Sequence, residues 1–162
     1  MEFKFTVAIK IQKPIAEVFD AVYNPRKLSG YFTNGGASAP LDEGTVVTWA
    51  FADHPDKPIS FPVKVKKTVP NKQIQFTWGA SEGEYDPVTG DLPTGGGYDT
   101  LVEMNFESLG PDETLVSIRE GGWRPTEGGL LGSYQNCQGW THMQMCLKAY
   151  LEFGINLRKG SF

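Results

Sequence analysis

The chain has 162 residues, a length that suits one domain with a single core. Its net charge of −4 offers no basic field to phosphate backbones or anionic lipids, so nucleic acid is not an expected partner. No run approaches the roughly 20 apolar residues of a membrane span, and the opening residues do not read as a secretion signal; we therefore expect a cytoplasmic protein that is not membrane-bound.

The first third of the chain predicts one strand followed by helices. Apolar and polar side chains alternate along residues 3–11, which is typical of a strand with one solvent-exposed face. Apolar residues at helical spacing between Pro14 and Pro25 predict a helix, and a short second helix is predicted around 26–32. The Gly- and Pro-rich stretch 33–44 reads as a loop.

The middle of the chain predicts a strand meander. Strands are predicted at 45–52, 59–69, 73–78, 98–108 and 113–120, separated by turn residues. The longest break, 81–97, is acidic and rich in Gly and Pro, so a flexible hairpin loop is predicted there, either as a lid or as a disordered tip.

The last third changes from a period of two to a period of 3.6. Cys137, Trp140, Met143 and Leu147 share one predicted helical face, which indicates a long amphipathic C-terminal helix. Its start is left open because Gly128, Gly129 and Gly132 weaken a helix. The order therefore predicts an α+β fold in which a sheet of about six antiparallel strands buries one face against this helix, as a single domain over 1–162.

Four local strings resemble a known family. They are IAEVFDAVYNPRKLSGYF after the first strand, Gly44 before VVTWAF, LVSIREGGW ending at Trp123, and GWTHMQMCLKAYLEFG over 139–154. Together they resemble the START-like (SRPBCC) superfamily, and within it the family named after the activator of the heat-shock chaperone ATPase. The resemblance implies a helix-grip fold, a curved sheet wrapped around the long helix with an apolar cavity between them.

The aromatic residues are the candidates for lining such a cavity. The chain has ten Phe, six Tyr and four Trp, and aromatic side chains either fill cores or line pockets. We predict a ligand site formed by one carboxylate and eight mostly aromatic residues: Tyr31, Trp49, Phe61, Trp78, Met104, Glu120, Trp123, Tyr134 and Trp140. The competing interpretation is that the aromatic residues form a filled core.

Catalytic and metal chemistry leave few candidates. Cys137 and Cys146 should lie on opposite faces of the helix, so neither a metal site nor a cofactor is predicted, and both cysteines are expected to be buried and structural. No nucleophile motif is present. Glu120 follows Val116 and Ile118 in strand phase, so its carboxylate is predicted to face the cavity if those residues face inward.

Three functions remain open from the sequence. The first is a carrier or sensor that binds a small apolar or aromatic molecule. The second, implied by the resemblance alone, is a stress-related protein that interacts with a chaperone. The third, also implied by the resemblance, is an enzyme of the cyclase or hydratase type found elsewhere in the superfamily, which would need Glu120 or His142 in the cavity. The chain is expected to be a monomer or a homodimer.

Overall fold

A computed structural model describes residues 1–162. The chain runs through ten elements in the following order: β1 (Phe3–Ile11), α1 (Ile15–Tyr23), α2 (Pro25–Leu28), β2 (Gly36–Ala37), β3 (Val46–Phe51), β4 (Ile59–Val69), β5 (Gln73–Glu82), β6 (Thr94–Gly110), β7 (Glu113–Trp123) and α3 (Glu127–Phe153).

The strands form one antiparallel sheet of seven strands in the order β1-β7-β6-β5-β4-β3-β2. Six sequential strands, β2 to β7, therefore lie side by side as a meander, and β1 joins the free edge of β7, with Val7 opposite Ile118. The alternation of buried and exposed residues along β7 shows that one sheet face packs on the core.

The connection from β1 to β3 contains two short helices, and each begins after a residue that favours a helix start. Pro14 stands at the N-cap of α1, and the Asn24 side chain accepts a hydrogen bond from the backbone N–H of Arg26 at the start of α2. The buried side of α1, which includes Val18 and Phe19, belongs to the same core as the sheet.

Helix α3 covers the inner face of the sheet. The Thr126 hydroxyl caps its first turn by accepting from the N–H of Gly129, and Gly154, with φ of 66°, ends it. Its buried side chains include Trp140, Met143 and Leu147, which lie in the same apolar cluster as the sheet residues. Helix and sheet therefore share one core.

Three side chains of α3 also bond to the edge strand β1 or to the residue that follows it. The Gln144 amide donates to the carbonyl oxygens of Val7 and Val116, and Lys148 donates to the carbonyl of Lys10. Glu152 accepts from the N–H of Gln12. Because residues 144, 148 and 152 are four apart, they lie on one helix face and cover part of an open sheet edge.

The structure corrects three sequence predictions. The sheet has seven strands instead of about six, because Gly36–Ala37 pairs with β3. The predicted loop 81–97 is shorter, since β5 continues to Glu82 and β6 begins at Thr94. Cys146 is buried, but Cys137 is only partly so, because the face of α3 that enters the core passes through residues 143, 146 and 147.

The predicted fold class is confirmed. An antiparallel sheet holds a single long C-terminal helix against one face, with two short helices after the first strand. This is the architecture of a helix-grip fold.

Candidate functional site

A cavity lies between the outer part of the sheet and the middle of α3. Its volume is about 190 Å³. The walls come from β3, β4, β5 and α3, and further lining residues come from the segments 52–58 and 83–93 and from the segment after α3. Seven aromatic residues of these elements and of the α2–β2 connection line it: Phe32, Phe51, Phe61, Trp78, Tyr85, Trp140 and Phe162.

The aromatic rings of the wall contact one another. The centroids of Trp78 and Trp140 are 5.4 Å apart with an interplanar angle of 31°. Phe61 lies 5.9 Å from Trp78, and Phe32 lies 5.8 Å from Trp140. These separations are within the range of favourable aromatic pairs, so the wall is a continuous aromatic surface.

Glu120 is the only buried acidic side chain of the chain, and it lies behind this wall. Its carboxylate accepts hydrogen bonds from four side chains. The indole N–H groups of Trp78 and Trp140 donate over 2.8 and 2.7 Å, the Thr100 hydroxyl over 2.6 Å, and the Asn136 amide over 3.1 and 3.2 Å. Three neighbouring strands and the helix thus converge on one carboxylate.

The charge of Glu120 has no cationic partner, since no salt bridge includes it. Burial raises the pKa of its carboxyl group, and the four hydrogen bonds oppose that rise. Because all four partners act as donors, they stabilise the ionised form. Both carboxylate oxygens are occupied, which leaves little bonding capacity for a ligand.

Two glycines of the lining are exposed and have open space around them. A Cβ added at Gly79 on β5 or at Gly139 on α3 would meet no atom within 4 Å. No neighbouring atom requires glycine at position 139, although glycine in a helix interior is about 1 kcal/mol less favourable than alanine. A side chain at this position would meet open space beside the cavity lining.

The rim of the cavity is polar and paired. Arg158, in the segment after α3, donates to both carboxylate oxygens of Asp53 over 3.0 and 2.5 Å, and both side chains are nearly buried. Lys57 bonds to Asp91 over 2.7 Å, and the His54 ring bonds to the Tyr85 hydroxyl over 2.7 Å. These contacts join the segments 52–58, 83–93 and 154–162 above the cavity.

The nine predicted site residues divide into four groups. Phe61, Trp78 and Trp140 line the cavity, and Glu120 lies directly behind two of them. Tyr31, Trp49 and Met104 are fully buried in the core and do not line the cavity.

The remaining two predicted residues lie outside the cavity wall. Trp123 is buried beside Phe5, with ring centroids 5.7 Å apart. The pairing of β7 with β1 shifts register at Gly122, which has a φ of 105°. This irregularity accompanies the return of the Trp123 side chain to the inner face of the sheet. Tyr134, on α3, is 62% exposed and does not line this cavity.

Several lining residues were not predicted from the sequence. Asn136 lies one turn before Trp140, and this helical spacing could have indicated a shared partner. Asp53 and Arg158 are 105 residues apart, and no local pattern links them. Gly79 and Gly139 carry no side-chain signal at all.

The other reactive side chains form no catalytic pair with Glu120. His142 is partly buried, with its ring 5.0 Å from that of Phe162 and its Nδ1 3.6 Å from the Cys146 Sγ. Burial lowers the pKa of His142 and raises that of Cys146, so both are held in their neutral forms. No three His, Cys, Asp or Glu side chains gather as metal ligands, and none of the helices has the length and apolarity of a membrane span.

An antiparallel sheet that holds a long helix, with a cavity between the two, defines the helix-grip class of the START-like superfamily. The model of the family described as activator of Hsp90 ATPase homolog 1-like protein matches residues 12–152. The chain belongs to this family.

Solved structures agree on the fold. DynU16, described as a protein in the dynemicin biosynthetic locus, is 21% identical with a TM-score of 0.71; the match covers 96% of this chain but only 49% of DynU16. The Aha1 dimer from Colwellia psychrerythraea is 19% identical with a TM-score of 0.66, covering 93% of this chain and 97% of that one. A protein from Arthrobacter aurescens is 11% identical with a TM-score of 0.72, covering 99% and 92%. No curated protein matches the chain.

Proposed function

We propose that the chain binds a small, largely apolar molecule in the cavity between the sheet and α3. The observation that supports this most directly is the aromatic lining of a cavity of about 190 Å³. An apolar cavity of about 150 Å³ suffices to hold benzene, so this one suits a ligand built around one ring. Aromatic walls with a few polar groups at the rim are typical of small-molecule sites.

The bonding of Glu120 supports a binding role over acid–base catalysis. A general acid or base must reach the proton that it transfers, but the carboxylate of Glu120 already accepts from four donors behind the wall. A cyclase or hydratase reaction would require this network to open. We therefore place a carrier or sensor ahead of an enzyme.

The test is native mass spectrometry of the protein purified from its own cell extract. We expect a small molecule to be retained by the wild type and lost from Gly139→Leu, which adds a large side chain to a residue of the cavity lining. Gly139→Ala is the matched control, because it changes the same backbone position and adds only one methyl group. A wild-type protein that carries nothing, and that also fails to bind added aromatic compounds, would contradict the proposal.

Family membership supports a second candidate, a protein that interacts with a chaperone. This role would not need the cavity to be occupied. Co-purification of the chaperone with both wild type and Gly139→Leu would favour it, whereas a pull-down that never recovers the chaperone would count against it.

A further inference from the structure

The charged side chains around the cavity form ion pairs, with the exception of Glu120. At the rim, Arg158 is neutralised by Asp53 and Lys57 by Asp91, over 2.5 and 2.7 Å. Behind the wall, the carboxyl group of Glu120 is surrounded by neutral donors alone. An uncompensated buried charge is unfavourable, so a cation in the cavity would balance the charge of Glu120 in its ionised form.

Two indole rings stand between this charge and the cavity. Trp78 and Trp140 each turn the N–H edge to Glu120, and both rings line the cavity. A hydrogen bond to an anion polarises the donor group, which makes the ring more electron-rich. The negative face of an aromatic ring attracts cations, and tryptophan is the strongest of the aromatic residues in this respect. Because both indole N–H groups already donate to Glu120, a ligand can contact the faces of the two rings but cannot accept a hydrogen bond from them.

The same cavity already holds a cation against aromatic rings. The guanidinium carbon of Arg158 lies 4.9 Å from the ring centroids of Phe51 and Phe162 and 5.6 Å from that of Phe32. These distances are within the range of cation–π contacts. The lining is therefore suited to positive groups at its rim, and Trp78 and Trp140 present a second aromatic surface deeper in, with no cation of the protein on it.

We propose that the ligand of this cavity carries a positive charge, as an ammonium group on an apolar or aromatic body, and that this group lies against Trp78 and Trp140 in front of Glu120. The inference rests on the proposed function, because it names the chemical class that the same cavity selects. It also disfavours fatty acids and other anionic ligands, since their charge would face that of Glu120 across one layer of rings.

The experiment compares three probes of similar shape and different charge: trimethyl(phenyl)ammonium, tert-butylbenzene and benzenesulfonate. Each is titrated into ¹⁵N-labelled wild-type protein, and the indole N–H signals are followed. We expect the signals of Trp78 and Trp140 to shift, with those of Trp49 and Trp123, which have no hydrogen-bond partner, as internal references. The cation should bind about tenfold more tightly than tert-butylbenzene, and benzenesulfonate should bind most weakly.

Two variants assign the preference to one carboxylate. Glu120→Gln should bring the ratio of the cation's affinity to that of tert-butylbenzene close to one. Glu107→Gln, at an exposed position on β6, changes the net charge equally and should keep the wild-type ratio. If Glu120→Gln does not fold, the wild-type comparison of the three probes still decides the proposal.

The outcomes separate the two levels of inference. Binding of tert-butylbenzene at least as tight as that of the cation would overturn the charge proposal and leave the proposed function standing. Failure of all three probes to bind would contradict both. A cation preference that survives in Glu120→Gln would also overturn the proposal, because the preference would then come from elsewhere in the molecule.

Discussion

At the scale of single residues, Glu120 decides how the site is organised. Strand phase alone predicts that it faces inward, because Val116 and Ile118 precede it at intervals of two, and the structure places it there. Its partners could not be predicted in the same way. Trp78, Thr100 and Trp140 come from three other elements, and only the sheet register and the placement of α3 bring them together.

Glu120 should also give the folded state a pH dependence. Burial raises its pKa in the folded protein above the ordinary value of 4.5, so over an interval above pH 4.5 the folded protein binds a proton that the unfolded chain has released. The stabilisation is complete below pH 4.5 and is lost as pH rises through the folded-state pKa. We expect the free energy of unfolding of wild type, relative to Glu120→Gln, to fall by up to about 1.4 kcal/mol per pH unit there. Urea unfolding of both proteins between pH 4 and 8 measures this, and a constant difference would contradict it.

The helical glycines should respond to alanine in opposite ways. Gly139→Ala adds a methyl group where no atom lies within 4 Å, so we expect the unfolding free energy to rise by up to about 1 kcal/mol. At Gly132 the same change places a Cβ against the carbonyl oxygen of Ser81, and we expect a loss of about 1–3 kcal/mol. Thermal unfolding of the two variants checks both signs. Equal effects would show that the space beside Gly139 is not open.

At the scale of elements, the segment after α3 completes the rim of the cavity. The helix itself is predictable from its period, and its start at Glu127 follows from the Thr126 cap. The folding of residues 154–162 over the cavity is not predictable, since it depends on one ion pair between Arg158 and Asp53 and on cation–π contacts with residues distant in sequence.

Arg158→Ala should release this segment. Asp53 would lose its charged partner in a nearly buried position, and we expect the free energy of unfolding to fall by about 2 kcal/mol. Hydrogen exchange should accelerate in residues 154–162 while the middle of α3 stays protected. Lys64→Ala is the control, because Lys64 and Asp99 form an exposed pair whose loss should lower the stability by less than about 1 kcal/mol. Unchanged exchange in Arg158→Ala would show that the ion pair does not hold the segment.

At the scale of the whole molecule, the sequence predicts the architecture better than the site. Alternation along five of the six predicted strands and the period of α3 are local patterns, so the order of elements follows from them. The cavity depends on where a two-residue strand, two connecting segments and the end of the chain meet. None of these segments has a periodic pattern of apolar residues from which its position could be predicted. For this reason the sequence alone does not separate lining residues from core residues such as Trp49 and Met104, which are fully buried.

The pairing of β1 with β7 has a consequence for how the protein is made. The first strand cannot enter the sheet until residues 113–123 have been synthesised, and its bonds to Gln144 and Lys148 need the helix as well. Such distant contacts slow folding. We expect ribosome-bound chains exposing only residues 1–112 to be cleaved readily by protease, and protection to appear once residue 153 has left the exit tunnel. Until then the apolar side of β1, from Phe3 to Ile11, is exposed to solvent. The nascent chain is therefore most prone to aggregation before its last helix emerges from the ribosome.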